Sequence, residues 1–86
     1  MAEQVRRFIY SDHANEMLAE RGLEREWVER AILGPDIVER DPKHPDRVRA
    51  YKALPERDGR VLRVVYVELG EAYRVITLFL DRSRRR

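Results

Sequence analysis

Histidine occurs twice in this chain, at His13 and His44, in segments unrelated in spacing. His13 stands in the run Tyr10-Ser11-Asp12-His13-Ala14, whose pattern opens a helix. A neutral imidazole at a helix start can serve as a base near neutral pH. The same ring can instead bond a backbone group or a nearby carboxylate and do no chemistry. Arg21, eight residues on, can bind a phosphate; it can equally balance the helix dipole or pair with Glu20 or Glu24. Two histidines and no cysteine fall short of the spaced ligand sets that metal sites use, so neither metal nor cofactor is expected. Glycine-rich phosphate loops and nucleophile elbows are absent too.

These residues need a scaffold, and the hydrophobic pattern supplies one. Val5 to Tyr10 reads as a short leading strand. Ser11 is a helix N-cap, Asp12 suits the positive end of the dipole, and Ala14, Met17 and Leu18 form an apolar stripe. Gly22 ends the first helix near Arg21. A second helix spans about Glu24 to Leu33, burying Trp27, Val28, Ala31 and Ile32, and Gly34-Pro35 stops it. The short joint between the helices predicts a hairpin.

After Pro35 the period becomes two. Strands are expected at Ile37–Arg40, Val48–Leu54, Val61–Leu69 and Tyr73–Leu80, with a Pro55-to-Gly59 turn and a tight joint at Gly70-Glu71. The fold class is α+β: a helical hairpin on one face of a curved antiparallel sheet of three to four strands. Alternation assigns Leu62, Val64, Tyr66, Ile76, Leu78 and Leu80 to the helix side. It leaves Arg63, Tyr73 and Thr77, with Arg49 and Tyr51, on an open platform.

Eighty-six residues make one domain, here residues 1–81 followed by a basic tail, 82–86. A core of that size leaves room for a surface cleft rather than an internal cavity. No apolar run can span a bilayer and no signal-peptide core is visible, so a cytoplasmic protein with no membrane partner is expected. Charge is split along the chain. Six acidic residues stand against two arginines from Asp12 to Glu29, and six basic against two acidic from Arg47 to Val67. Arg49, Lys52 and Arg63 could meet a phosphate backbone, with Tyr51 or Tyr73 as a base-stacking surface; as solvated strand residues they would need no ligand. Arginine outnumbers lysine sixteen to two, a bias that phosphate recognition or genome composition could each produce.

The stretch Tyr10-Ser11-Asp12-His13-Ala14, then Met17-Leu18 and Glu20-Arg21-Gly22-Leu23, resembles a bacterial family of domains of unknown function. Its members open with Ser-x-His-Ala and continue to Glu-Arg-Gly-Ile/Leu. A late Val/Ile-Thr pair of the family is matched by Ile76-Thr77. The resemblance covers about Phe8 to Asp81. That family is similar to the RelE, ParE and BrnT toxins and to the barnase–EndoU–colicin–RelE group of small ribonuclease-like folds. The resemblance implies a RelE-like domain with a metal-independent RNA-cleaving cleft on the open sheet face. It implies His13, Arg21 and Thr77 as site residues, and under a ribonuclease reading Arg63 from the open platform would join Arg21 in stabilising charge on the phosphate. Partners implied are RNA and an antitoxin-like protein, and a homodimer is compatible with it. Many members carry arginine where this chain has Met17. Two functions therefore stand side by side: a toxin-type endoribonuclease, or a non-catalytic module that binds protein or nucleic acid.

Overall fold

The computed structural model describes residues 7–85, with side chains to Arg84. Val5 and Arg6 of the expected leading strand and Arg86 of the expected tail lie outside the described residues. The order of elements is β1 (Arg7–Tyr10), α1 (Asp12–Arg21), α2 (Arg25–Leu33), β2 (Ile37–Arg40), β3 (Arg47–Leu54), β4 (Arg60–Leu69) and β5 (Ala72–Arg85), with a 3-10 turn at Pro55–Arg57. The α+β class is as expected, but the sheet has five strands, in the order β1-β5-β4-β3-β2, and is mixed. β2 to β5 form an antiparallel meander, while β1 pairs in parallel with the first residues of β5. The chain leaves β1, crosses one sheet face as two helices, and must come back through the meander. β5 then arrives beside β1 in the same direction.

α1 begins where expected. The Ser11 hydroxyl accepts from the Ala14 N–H at 3.0 Å and donates to the Ile76 carbonyl at 2.9 Å, so the cap also ties the helix to β5. Gly22 ends α1 in the left-handed conformation, φ 64°. The Arg57 guanidinium covers this end, donating to the carbonyls of Arg21 at 3.0 Å and Gly22 at 2.7 Å while lying over Trp27. α2 buries the four residues expected of it. The helices do not form a close hairpin: α1 rests on β5 and α2 on β3 and β4, each packing on the sheet more than on the other. The core lies between, built from Ala14, Leu18, Trp27, Val28, Ala31 and Ile32 above and Ala50, Leu54, Leu62, Val64, Tyr66, Val75 and Leu78 below.

One irregularity decides which residues share a face. Val65 pairs with Thr77, but Tyr66 pairs with Val75, so Ile76 is an extra residue in β5. The bulge reverses the alternation on its N-terminal side. Val75 joins the core and Tyr73 packs against it, stacked on Phe8 at 5.4 Å, instead of standing on the open platform. Thr77 and Phe79 remain on the open face, opposite Val65 and Arg63. The segment expected as a solvated tail is strand as far as Arg85, which pairs with Arg60. Arg84 there lies 4.0 Å from the Tyr51 ring centre.

Candidate active site at the free edge of β5

β1 is short and stops opposite Val75. Beyond that point the outer edge of β5 is left to α1, which starts beside it because Ser11 is bound to Ile76. His13, Met17 and Arg21, spaced four apart, form one stripe of the helix. This stripe and the β5 residues Thr77, Phe79, Leu80 and Arg82 line a shallow cleft of about 580 Å³. His13 is exposed, and its Nε2 lies 3.0 Å from the Thr77 hydroxyl, the donor being set by the imidazole tautomer. Three of the four expected catalytic residues, His13, Arg21 and Thr77, thus meet in one place from opposite ends of the chain.

Among the described residues the lining is cationic, hydroxyl-bearing and apolar, with no carboxylate. Among the described residues no carboxylate forms an ion pair with Arg21 or Arg82. A pocket of this kind offers a base or acid, a hydroxyl, two guanidinium groups and an apolar wall. Among the described residues no three His, Cys, Asp or Glu side chains gather as metal ligands would.

Arg63, the fourth expected catalytic residue, does not line the cleft. It lies behind it on the open face, 5.1 Å from the Phe79 ring centre and 6.0 Å from that of Tyr51. Its Nε is buried with no hydrogen-bond acceptor among the described residues. The expected RNA-binding set is dispersed. Tyr51 is 2% exposed, its hydroxyl donating to Glu39 at 3.2 Å, and cannot stack on a base. Tyr73 belongs to the helix face. Lys52 alternates to that face as well and pairs with Asp36 at 3.4 Å. Arg49 stays on the open face but is paired with Asp41 at 3.2 Å.

The open face is consequently a ladder of arginines and acids rather than a basic platform. Glu39 accepts from Arg84 at 3.1 Å, and that bond, helped by the Tyr51 hydroxyl, holds its carboxyl below the usual carboxylate range. Asp41 is held low first by the Lys43 N–H and then by His44 and Arg49. Asp81 is held low by the Ser83 hydroxyl at 2.6 Å. Val61, Val65 and Tyr51 are buried although no helix lies on this side, and the Arg63 and Arg84 guanidinium groups lie over the Tyr51 ring. Sequence reasoning missed three cleft residues, Phe79, Leu80 and Arg82. Phe79 alternates with Thr77 and so was legible as its neighbour on the same face; Arg82 carried no signal beyond its charge.

Residues 10–80 match the family model described as Domain of unknown function (DUF4258). The chain belongs to the DUF4258 family. The match runs from the residue before the Ser11 cap to Leu80, and so contains every cleft residue except Arg82. No curated protein and no solved structure matches the chain significantly. No helix among the described residues is long and apolar enough to cross a membrane.

Proposed function

We propose that this DUF4258 domain is a RelE-like, toxin-type endoribonuclease that cleaves RNA at the His13 cleft without a metal. The observation that carries the reading is the 3.0 Å contact between His13 and Thr77, in an exposed cleft whose charged side chains are cations. His13 takes the proton of a ribose 2′-hydroxyl. The freed oxygen attacks the adjacent phosphorus, and the bond from phosphorus to the 5′-oxygen breaks. That oxygen takes a proton from water, leaving a 2′,3′-cyclic phosphate on one product and a 5′-hydroxyl on the other. Arg21 and Arg82 stabilise the charge that develops on the phosphate oxygens. Thr77 positions the imidazole through its hydroxyl.

A second reading, RNA binding without cleavage, is favoured by Met17. It is a cleft residue at the position where many members of the resembling family carry arginine, so the cleft has an apolar side chain there in place of a cation. Incubation of the purified protein with single-stranded RNA in the presence of a chelator separates the two. Cleavage by the wild type and its loss in His13→Ala support the enzyme. Equal cleavage by both removes His13 from the mechanism. Affinity without products leaves the binding module.

A further inference from the structure

The base-stacking surface expected at Tyr51 or Tyr73 is not available at either, and the question passes to the remaining aromatic rings. Phe8, Tyr66 and Tyr73 pack on one another on the helix face. Trp27 and Tyr51 are buried. Tyr10 lies beneath Arg25 with its hydroxyl on Glu29. Phe79 is the aromatic ring among the described residues that lines the cleft, where it adjoins Thr77, Leu80 and Met17. It is partly exposed, and Arg63 lies over it at 5.1 Å. Arg63 makes no close ion pair with the described residues; its charge is attracted by the Asp81 carboxylate, and its guanidinium lies over the Phe79 ring and near that of Tyr51. A guanidinium over one face of an aromatic ring leaves the other face open to a ligand.

We propose that the cleft selects single-stranded RNA, with Phe79 as the platform on which one unpaired base stacks and Arg63 as the residue that positions the ring. The proposal rests on the RNA reading of the same cleft and adds to it the form of the substrate. A base inside a duplex has both faces covered by its neighbours and cannot lie on a side chain, whereas an unpaired base can. Stacking on a ring is tolerant of sequence, so the cleft discriminates by strandedness more than by base identity. Met17 and Leu80 flank the ring with apolar surface, and Arg21 and Arg82 supply the charges that the phosphates on either side of the base require.

The test uses a labelled single-stranded oligonucleotide with 2′-fluoro riboses, which lacks the attacking hydroxyl and is bound but not cut. A duplex of the same sequence is the comparison. Fluorescence anisotropy reads the affinity of the wild type, Phe79→Leu and Phe79→Trp. Tight binding of the single strand over the duplex is expected, and Phe79→Leu should weaken it by about 5- to 150-fold, the range for loss of one stacked base. Phe79→Trp should keep the affinity and show quenching of the new indole when the strand binds, a signal that a purely structural side chain would not produce. Binding by wild type and Phe79→Leu alike, duplex bound as tightly as single strand, or an indole that is not quenched overturns the stacking platform while leaving RNA binding intact. A wild type that binds neither strand ends the RNA reading and this proposal together. Should Phe79→Leu fail to fold, the Phe79→Trp quenching decides.

Discussion

Ser11 joins the fold to the site, and its hydroxyl can be removed with one substitution. In Ser11→Ala the Ala14 N–H loses its cap, and the Ile76 carbonyl, at the bulge, loses the donor that ties α1 to β5. The capping loss is worth about 1 kcal/mol on measured N-cap series. The second bond is half-buried and worth about 1 kcal/mol more. The expected destabilisation of about 2 kcal/mol lowers the melting temperature by roughly 8–16 °C for a domain of this size. Urea denaturation followed by far-ultraviolet circular dichroism measures the difference, with an unchanged slope showing that the denatured state is the same. Ser11→Thr keeps a hydroxyl in place and should recover most of the loss. A Ser11→Ala penalty below about 0.5 kcal/mol, the floor for a helix cap, would refute the reasoning, because neither bond could then be contributing.

Two further outcomes follow from the charged contacts. Arg57→Ala uncovers the end of α1 and the Trp27 ring, and should cost about 1–2 kcal/mol in the same denaturation assay, with Arg57→Lys recovering only part because an ammonium lacks the planar guanidinium that lies over the Trp27 ring. Glu39 has a folded-state value held below the ordinary one, so its contribution is fully present above the unfolded value and is lost as pH falls through the folded value. Urea melts of the wild type and Glu39→Gln, taken from neutral pH down through about pH 3, should therefore converge as the carboxyl protonates, and added salt should shrink the neutral-pH gap; parallel curves would contradict the assignment.

The elements were legible because they depend on near neighbours in the chain. Ser11, Gly22 and Gly34-Pro35 mark helix ends by local backbone chemistry, and Trp27, Val28, Ala31 and Ile32 reveal a buried face by spacing alone. The bulge was not legible. Val75 and Ile76 are both apolar, so the pattern reads equally well with either one facing the core, and only pairing with Tyr66 selects Val75. That ambiguity sent Tyr73 to the wrong face. The strand end at 82–85 was hidden for another reason: its arginines lack apolar alternation, and Arg84 is held by Glu39 and Tyr51 from distant strands. Parallel pairing of β1 with β5 is likewise a long-range choice with no local mark. For the site, the fold brought together His13, Arg21 and Thr77, the three that the family resemblance singled out; residue types by themselves raised only His13 and Arg21. They misled for Tyr51, Arg49 and Lys52, because composition registers the cations on the sheet and not the partners Asp36, Glu39 and Asp41 that neutralise the face.

The proposed mechanism depends on what His13 does to a phosphodiester, and the ends of the RNA products record that directly. Mass spectrometry of products from the wild type, made with chelator present, should find a 2′,3′-cyclic phosphate paired with a 5′-hydroxyl, and neither end should form with His13→Ala. Products ending in 3′-hydroxyl and 5′-phosphate would show that water and not the ribose is the nucleophile. Either those ends or no cleavage at all would contradict the mechanism assigned to the cleft.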